Sequence, residues 1–166
     1  MSARWGRGRP GKPEDVAQRE AVHGRALAWG RTEQANAVIA TATGLVIAGE
    51  PDQVLPWHLI DHAAWEPPDL AVRFRDAQGV AGSARITLAE HGELPPVIRQ
   101  RVTRSVVASR RVLLVGDAGA VLAARRDHAG TISWTVVFDA GLDPRDPHLQ
   151  QAARDALAEF RRSLGV

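Results

Sequence analysis

DPHLQQAARDALAEFRRSLGV, residues 146–166, closes the chain and is its most regular stretch. Asp146 suits a helix N-cap, and Pro147 suits the first helical position, where its missing N–H has no helical partner to lose. Leu149, Ala153, Ala156, Leu157, Phe160 and Leu164 follow at steps of three and four, drawing one apolar stripe. Arg154, Asp155, Glu159, Arg161 and Arg162 fall off that stripe. Arg161 and Arg162 sit toward the negative end of the helix dipole, and Gly165 supplies a stop. A helix of this length is marginal alone in water, so its stripe requires a partner surface. The rest of the chain reads as a β-rich body that receives it.

Immediately upstream, Thr131–Asp139 (TISWTVVFD) is a strand, and Arg110–Val115 and Ala120–Arg126 form a hairpin around Gly116, Asp117 and Gly119. Glu93–Val107 (ELPPVIRQRVTRSVV) places Leu94, Ile98, Val102 and Ser105 or Val106 at helical spacing, with Pro95 and Pro96 tolerated only in a first turn. Val102, Thr103, Val106 and Val107 also favour strand, which leaves the helix end open. Further back lie six short segments: Arg25–Thr32, Val38–Thr41, Leu45–Ala48, Val54–Glu66, Leu70–Arg75 and Ser83–Leu88. In LAVRFR, Leu70, Val72 and Phe74 face one way and Arg73 and Arg75 the other, as in a strand with one wet face. Pro56 assigns Val54–Glu66 to a sheet edge or a bulge. The order is six strands, a helix, three strands and a helix, an α+β chain built on an antiparallel meander.

The 166 residues fill one core, with residues 1–21 expected as a flexible basic tail and 22–166 as a single domain. Glu14–Gly24 either forms a short helix or leads into the body. Hydrophobic content of 45% excludes wholesale disorder. Lys12 is the one lysine among 21 basic residues, a composition that discounts arguments from arginine alone. Net charge is +2, yet residues 1–31 hold seven basic and three acidic groups, so the basicity lies at the front. The absence of cysteine excludes disulfides and thiolate metal sites. Ala35–Gly49, the longest weakly polar run, is shorter than the roughly 20 apolar residues a membrane helix needs. A cytoplasmic protein with no membrane partner is expected.

The apolar hairpin VIATATGLVIAG, followed by LPWHLIDHAAWE and LAVRFR, resembles bacterial pleckstrin-homology-like domains, including actinobacterial members. The likeness spans Arg25–Leu164 and rests on a strand pattern with Trp57 and Ile60 in the fourth segment. It implies a curved antiparallel open barrel closed by an amphipathic helix. Both 93–107 and 146–164 are eligible, and the second is taken as the closing helix. Phosphoinositide sites of that family use basic residues between the first two strands, where this chain has Glu33, Gln34, Ala35 and Asn36.

Arg7, Gly8, Arg9 and Pro10, with Lys12 beside them, resemble the core of an AT-hook, whose extended arm lies in the narrow minor groove of AT-rich DNA. Four residues from an arginine- and glycine-rich composition also match that pattern by chance. His58 and His62, four apart, would share a face in a regular strand and hold a divalent ion if a third ligand joined them; none has recognisable spacing. Otherwise they are wet-face histidines. Arg99, Arg101, Arg104, Arg110 and Arg111 cluster in sequence, but on a helix Arg99 points away from Arg101 and Arg104, which favours a solvated face over one anion site. No Gly-x-Ser-x-Gly setting, paired carboxylates or phosphate loop is visible. The leading expectation is a non-enzymatic module, free of cofactor, that binds a protein or peptide by strand addition at the Pro56 edge near Trp57, His58 and His62. A DNA-associated protein is the alternative, and a metal-dependent hydrolase using His58 and His62 a third.

Overall fold

The computed structural model describes residues 11–165. Among them the chain forms three helices and ten strands, arranged as one seven-stranded and one three-stranded antiparallel sheet. The α+β class and the antiparallel pairing expected from the sequence are both present.

The first helix, α1 (Glu14–His23), takes in residues assigned to the tail, so the ordered body begins earlier than expected. Only Val16 of this helix is buried, packing on Ala37, Ile39 and Val46. One apolar contact is a faint periodic signal. Charge pairs with distant residues hold α1 instead: Arg31 grips Asp15 at 2.6 Å, and Arg19 and His23 both reach Asp52 at 3.1 Å. Glu20 accepts from the Ala26 N–H at 2.6 Å, which fixes the exit from the helix.

The strands β1 (Ala28–Thr32), β2 (Ala37–Ala40), β3 (Gly44–Ile47) and β4 (Gln53–Pro56) run as one meander, and β5 (Ile60–Glu66), β6 (Asp69–Arg75) and β7 (Ala81–Glu90) as another. They join at β1 and β7, giving the order β4-β3-β2-β1-β7-β6-β5. Gly30 permits that join, because a Cβ there would lie 2.6 Å from the Glu90 carbonyl oxygen. Val54–Glu66, expected as one strand, is two. Pro56 has no N–H to continue the ladder, and Trp57–Leu59 forms a 3-10 turn from β4 at one edge to β5 at the other. Seven strands therefore precede the second helix, one more than the sequence pattern gave.

Inside this sheet Val38, Ala40, Leu45, Leu55, Ile60, Leu70, Val72 and Leu88 form the core. The helix that fills it is α2 (Leu94–Ser105), with Leu94 and Ile98 at most 1% exposed. The closing position expected for residues 146–164 thus belongs to the earlier segment. Its apolar side chains follow β7 directly in sequence and reach the core without a long connection.

The strands β8 (Val106–Val115), β9 (Ala118–Arg126) and β10 (Ile132–Phe138) make the second sheet, ordered β10-β9-β8. The amphipathic α3 (Pro147–Ser163) lies against it. Asp146 caps α3 as expected, accepting from the His148 N–H at 2.8 Å. Leu149, Ala153 and Phe160 are buried, while Leu164 falls past the helix end and stays exposed. The Phe160 ring meets Trp134 edge-on at 5.8 Å and carries the Arg110 guanidinium 4.8 Å above it. An apolar stripe needs an apolar face, and a three-stranded sheet offers one as readily as a barrel mouth.

Two arginines link the sheets. Arg125, 5% exposed, donates to Ser105 Oγ at 2.9 Å and to the Asp61 carbonyl at 3.2 Å. Burial pushes its pKa down while nearby Asp61 opposes the shift. Arg75 pairs with Asp61 at 3.0 Å and donates to the Val136 carbonyl at 2.7 Å.

Several aspartates are tied to such donors. Arg31 holds the Asp15 carboxyl below the usual carboxylate range; Thr87 and Arg85 do so for Asp69, and Arg111 with the Gly119 N–H for Asp139. A depressed carboxylate contributes stability above its unfolded pKa and loses it as pH falls through the folded value. The thermal midpoint is expected to hold between about pH 7 and 5 and to fall progressively below about pH 4. Equal midpoints at neutral pH and at about pH 3 would count against these pairs.

Candidate functional site

Two clefts open where the sheets meet. The larger, about 1130 Å³, has the end of the β6–β7 hairpin as one wall, with Arg73, Phe74, Arg75 and Val80. β10 and the loop after it form the other, with Trp134, Val136, Phe138 and Leu142, and Ala153 and Leu157 of α3 complete the lining. This volume lies above the roughly 300–1,000 Å³ typical of small-molecule pockets, so a groove for an extended chain fits it better.

β10 is the terminal strand of its sheet. The Asp139 N–H bonds the Gly119 carbonyl, and Thr135 and Val137 stand opposite Ala123 and Val121. By antiparallel alternation, Trp134, Val136 and Phe138 then turn their backbone groups away from β9. The Val136 carbonyl confirms the direction, since Arg75 reaches it from across the groove. Thr135 also lines the groove, and its Oγ1 is buried without a hydrogen-bond partner among the described residues.

The smaller cleft, about 210 Å³, is lined by Thr43 of the β2–β3 turn, His58, Arg101 and Arg104 of α2, and Arg126, Asp127 and His128 at the end of β9. Arg101 and Arg104 do share a helical face, as their spacing predicted. That face looks into a cleft which Arg126 joins from another element. The sequence could align the first two but had no means of bringing up Arg126 or His128.

The sequence-derived candidates are dispersed. Arg7, Gly8, Arg9 and Pro10 lie outside the described residues. Lys12 gives its ammonium to both Glu20 oxygens, at 2.6 and 2.7 Å. Trp57 is 6% exposed and its indole N–H donates to the Thr41 carbonyl at 3.0 Å, so it is a core side chain and not a partner anchor. His58 sits in the 3-10 turn, and His62 is exposed on β5 beyond a register shift. The turn and the shift remove the regular strand that would have put both imidazoles on one face. Among the described residues no group of three His, Cys, Asp or Glu side chains converges as a metal site would require. His23 bonds Asp52 at 3.1 Å, and His91 bonds the Gly92 carbonyl at 3.0 Å.

The Pro56 edge is a poorer strand acceptor than β10. β4 has four residues, and Pro56 withholds one of its few N–H groups. Among the described residues no helix is long and apolar enough to cross a membrane. Compared with known families and curated proteins, the chain matches no family model and no curated sequence.

Proposed function

We propose that the protein is a non-enzymatic interaction module, cytoplasmic in setting, that receives an extended peptide along β10. The observation that carries this reading is the outward-turned backbone of Trp134, Val136 and Phe138 in a groove with a second wall. Main-chain hydrogen bonds to such an edge supply affinity, and pockets for alternate side chains supply specificity. Phe74, Leu142 and Leu157 offer the apolar part of those pockets, and Arg73, Arg145 and Arg154 the charged part. A seven-stranded curled sheet filled by α2 also supports the pleckstrin-homology-like reading of the body, with β8–β10 and α3 as an added unit that contributes the groove.

The test is selection of short peptides from a displayed random library, followed by mapping of amide NMR shifts and a comparison with Val136→Pro. Proline is tolerated on an edge strand whose N–H faces outward, so the fold should persist while one outward donor disappears. Selected peptides are expected to shift Trp134 and Val136 amides and to bind the variant about tenfold more weakly, near 1.4 kcal/mol. Peptides that map elsewhere, or that bind Val136→Pro equally well, would reject the reading.

A further inference from the structure

We propose that the smaller cleft binds a phosphoryl group, as free phosphate or the end of a small phosphate monoester. This is independent of the peptide groove. Arg101 and Arg104 come from α2, Arg126 from β9, His58 from the 3-10 turn and His128 from the turn after β9. Guanidinium stays protonated at any physiological pH, so three fixed positive charges share one small space.

Charge pairing within the fold does not account for them. Seven ion pairs among the described residues engage Lys12, Arg19, His23, Arg31, Arg75, Arg85 and Arg111, and none involves Arg101, Arg104 or Arg126. The one carboxylate lining the cleft, Asp127, uses Oδ1 to accept the Thr131 N–H at 2.8 Å. Arg104 in the last turn of α2 answers the negative end of that helix dipole, which needs one cation. Arg101 sits one turn back and Arg126 on a different element, so the dipole leaves both unexplained. Arg101 is only partly exposed, and its Nε is buried with no acceptor among the described residues. Like charges held together in a cleft with low-dielectric walls focus the field on an anion.

Size narrows the ligand. At about 210 Å³ the cleft falls below the range for drug-sized molecules, which suits one tetrahedral oxyanion. Guanidinium forks match phosphate oxygens two at a time, and neither His58 nor His128 has a hydrogen-bond partner among the described residues, leaving ring N–H groups to donate.

The experiment is isothermal titration of the full chain at low salt with inorganic phosphate, and separately with phenyl phosphate. Saturable binding of either is the expected result; binding of phosphate alone identifies the free ion, and binding of both identifies a monoester terminus. Arg126→Gln and the double change Arg101→Gln, Arg104→Gln should each weaken binding about tenfold or more, while a change at the exposed Arg162 of α3, Arg162→Gln, should not. Circular dichroism spectra matching wild type would confirm that the variants fold. Absence of saturable binding, or equal weakening by Arg162→Gln, would overturn the proposal. So would binding of duplex DNA or anionic lipid vesicles under conditions where neither small phosphate binds.

Discussion

Phe160→Ala is expected to destabilise the three-stranded sheet and α3 by about 3–5 kcal/mol. The ring is 3% exposed, stands edge-on to Trp134, and supports the Arg110 guanidinium. Truncation removes the apolar burial, the aromatic pair and the cation–π contact together, and leaves a cavity that a helix on a sheet closes only in part. Whole domains are stable by roughly 5–15 kcal/mol, so this is a large fraction. Hydrogen exchange is the measurement of choice, because it reads β8–β10 apart from the other sheet. Amides of β9 and β10 should exchange about a hundredfold faster or more, while those of β2 and β6 change less. A loss below about 1 kcal/mol would mean that α3 is not held by this ring.

Ile98→Ala should act on the other sheet, by about 2–5 kcal/mol. Ile98 is 1% exposed inside the cluster of Val38, Leu45, Ile60 and Leu70, so truncation removes apolar burial and leaves a cavity in the core. Protection should fall first in β2, β6 and β7, with β9 and β10 less affected. The two variants form a cross-test of which helix serves which sheet. If Ile98→Ala left the seven-stranded sheet unchanged and Phe160→Ala opened it, the assignment of α2 to that core would be wrong.

The contrast between the helices shows what periodicity can carry. Leu94 and Ile98, and Leu149, Ala153 and Phe160, were all legible as apolar faces. Both helices formed within one or two residues of their expected bounds. Their docking partners were not legible, because a stripe records that a side chain leaves water and not which surface it meets. α1 was obscure for the opposite reason. Its one buried residue, Val16, leaves no stripe, and the charge partners Arg31 and Asp52 lie far along the chain.

The candidate sites divide along the same line. Trp57 and Ile60 were noticed as a pattern, yet both are core. Arg101 and Arg104 could be aligned from helical spacing, whereas Arg126 and His128 reach the cleft only because β9 folds back past the end of α2.

By itself the sequence determined the class, the antiparallel strands, two helices and the cap at Asp146, since each is written in residues a few positions apart. Only the tertiary structure decided which helix fills which sheet, where β10 is left as an edge, and which arginines share a space. Those outcomes depend on contacts between elements, where burial and charge act over distance in three dimensions and leave no regular spacing along the chain.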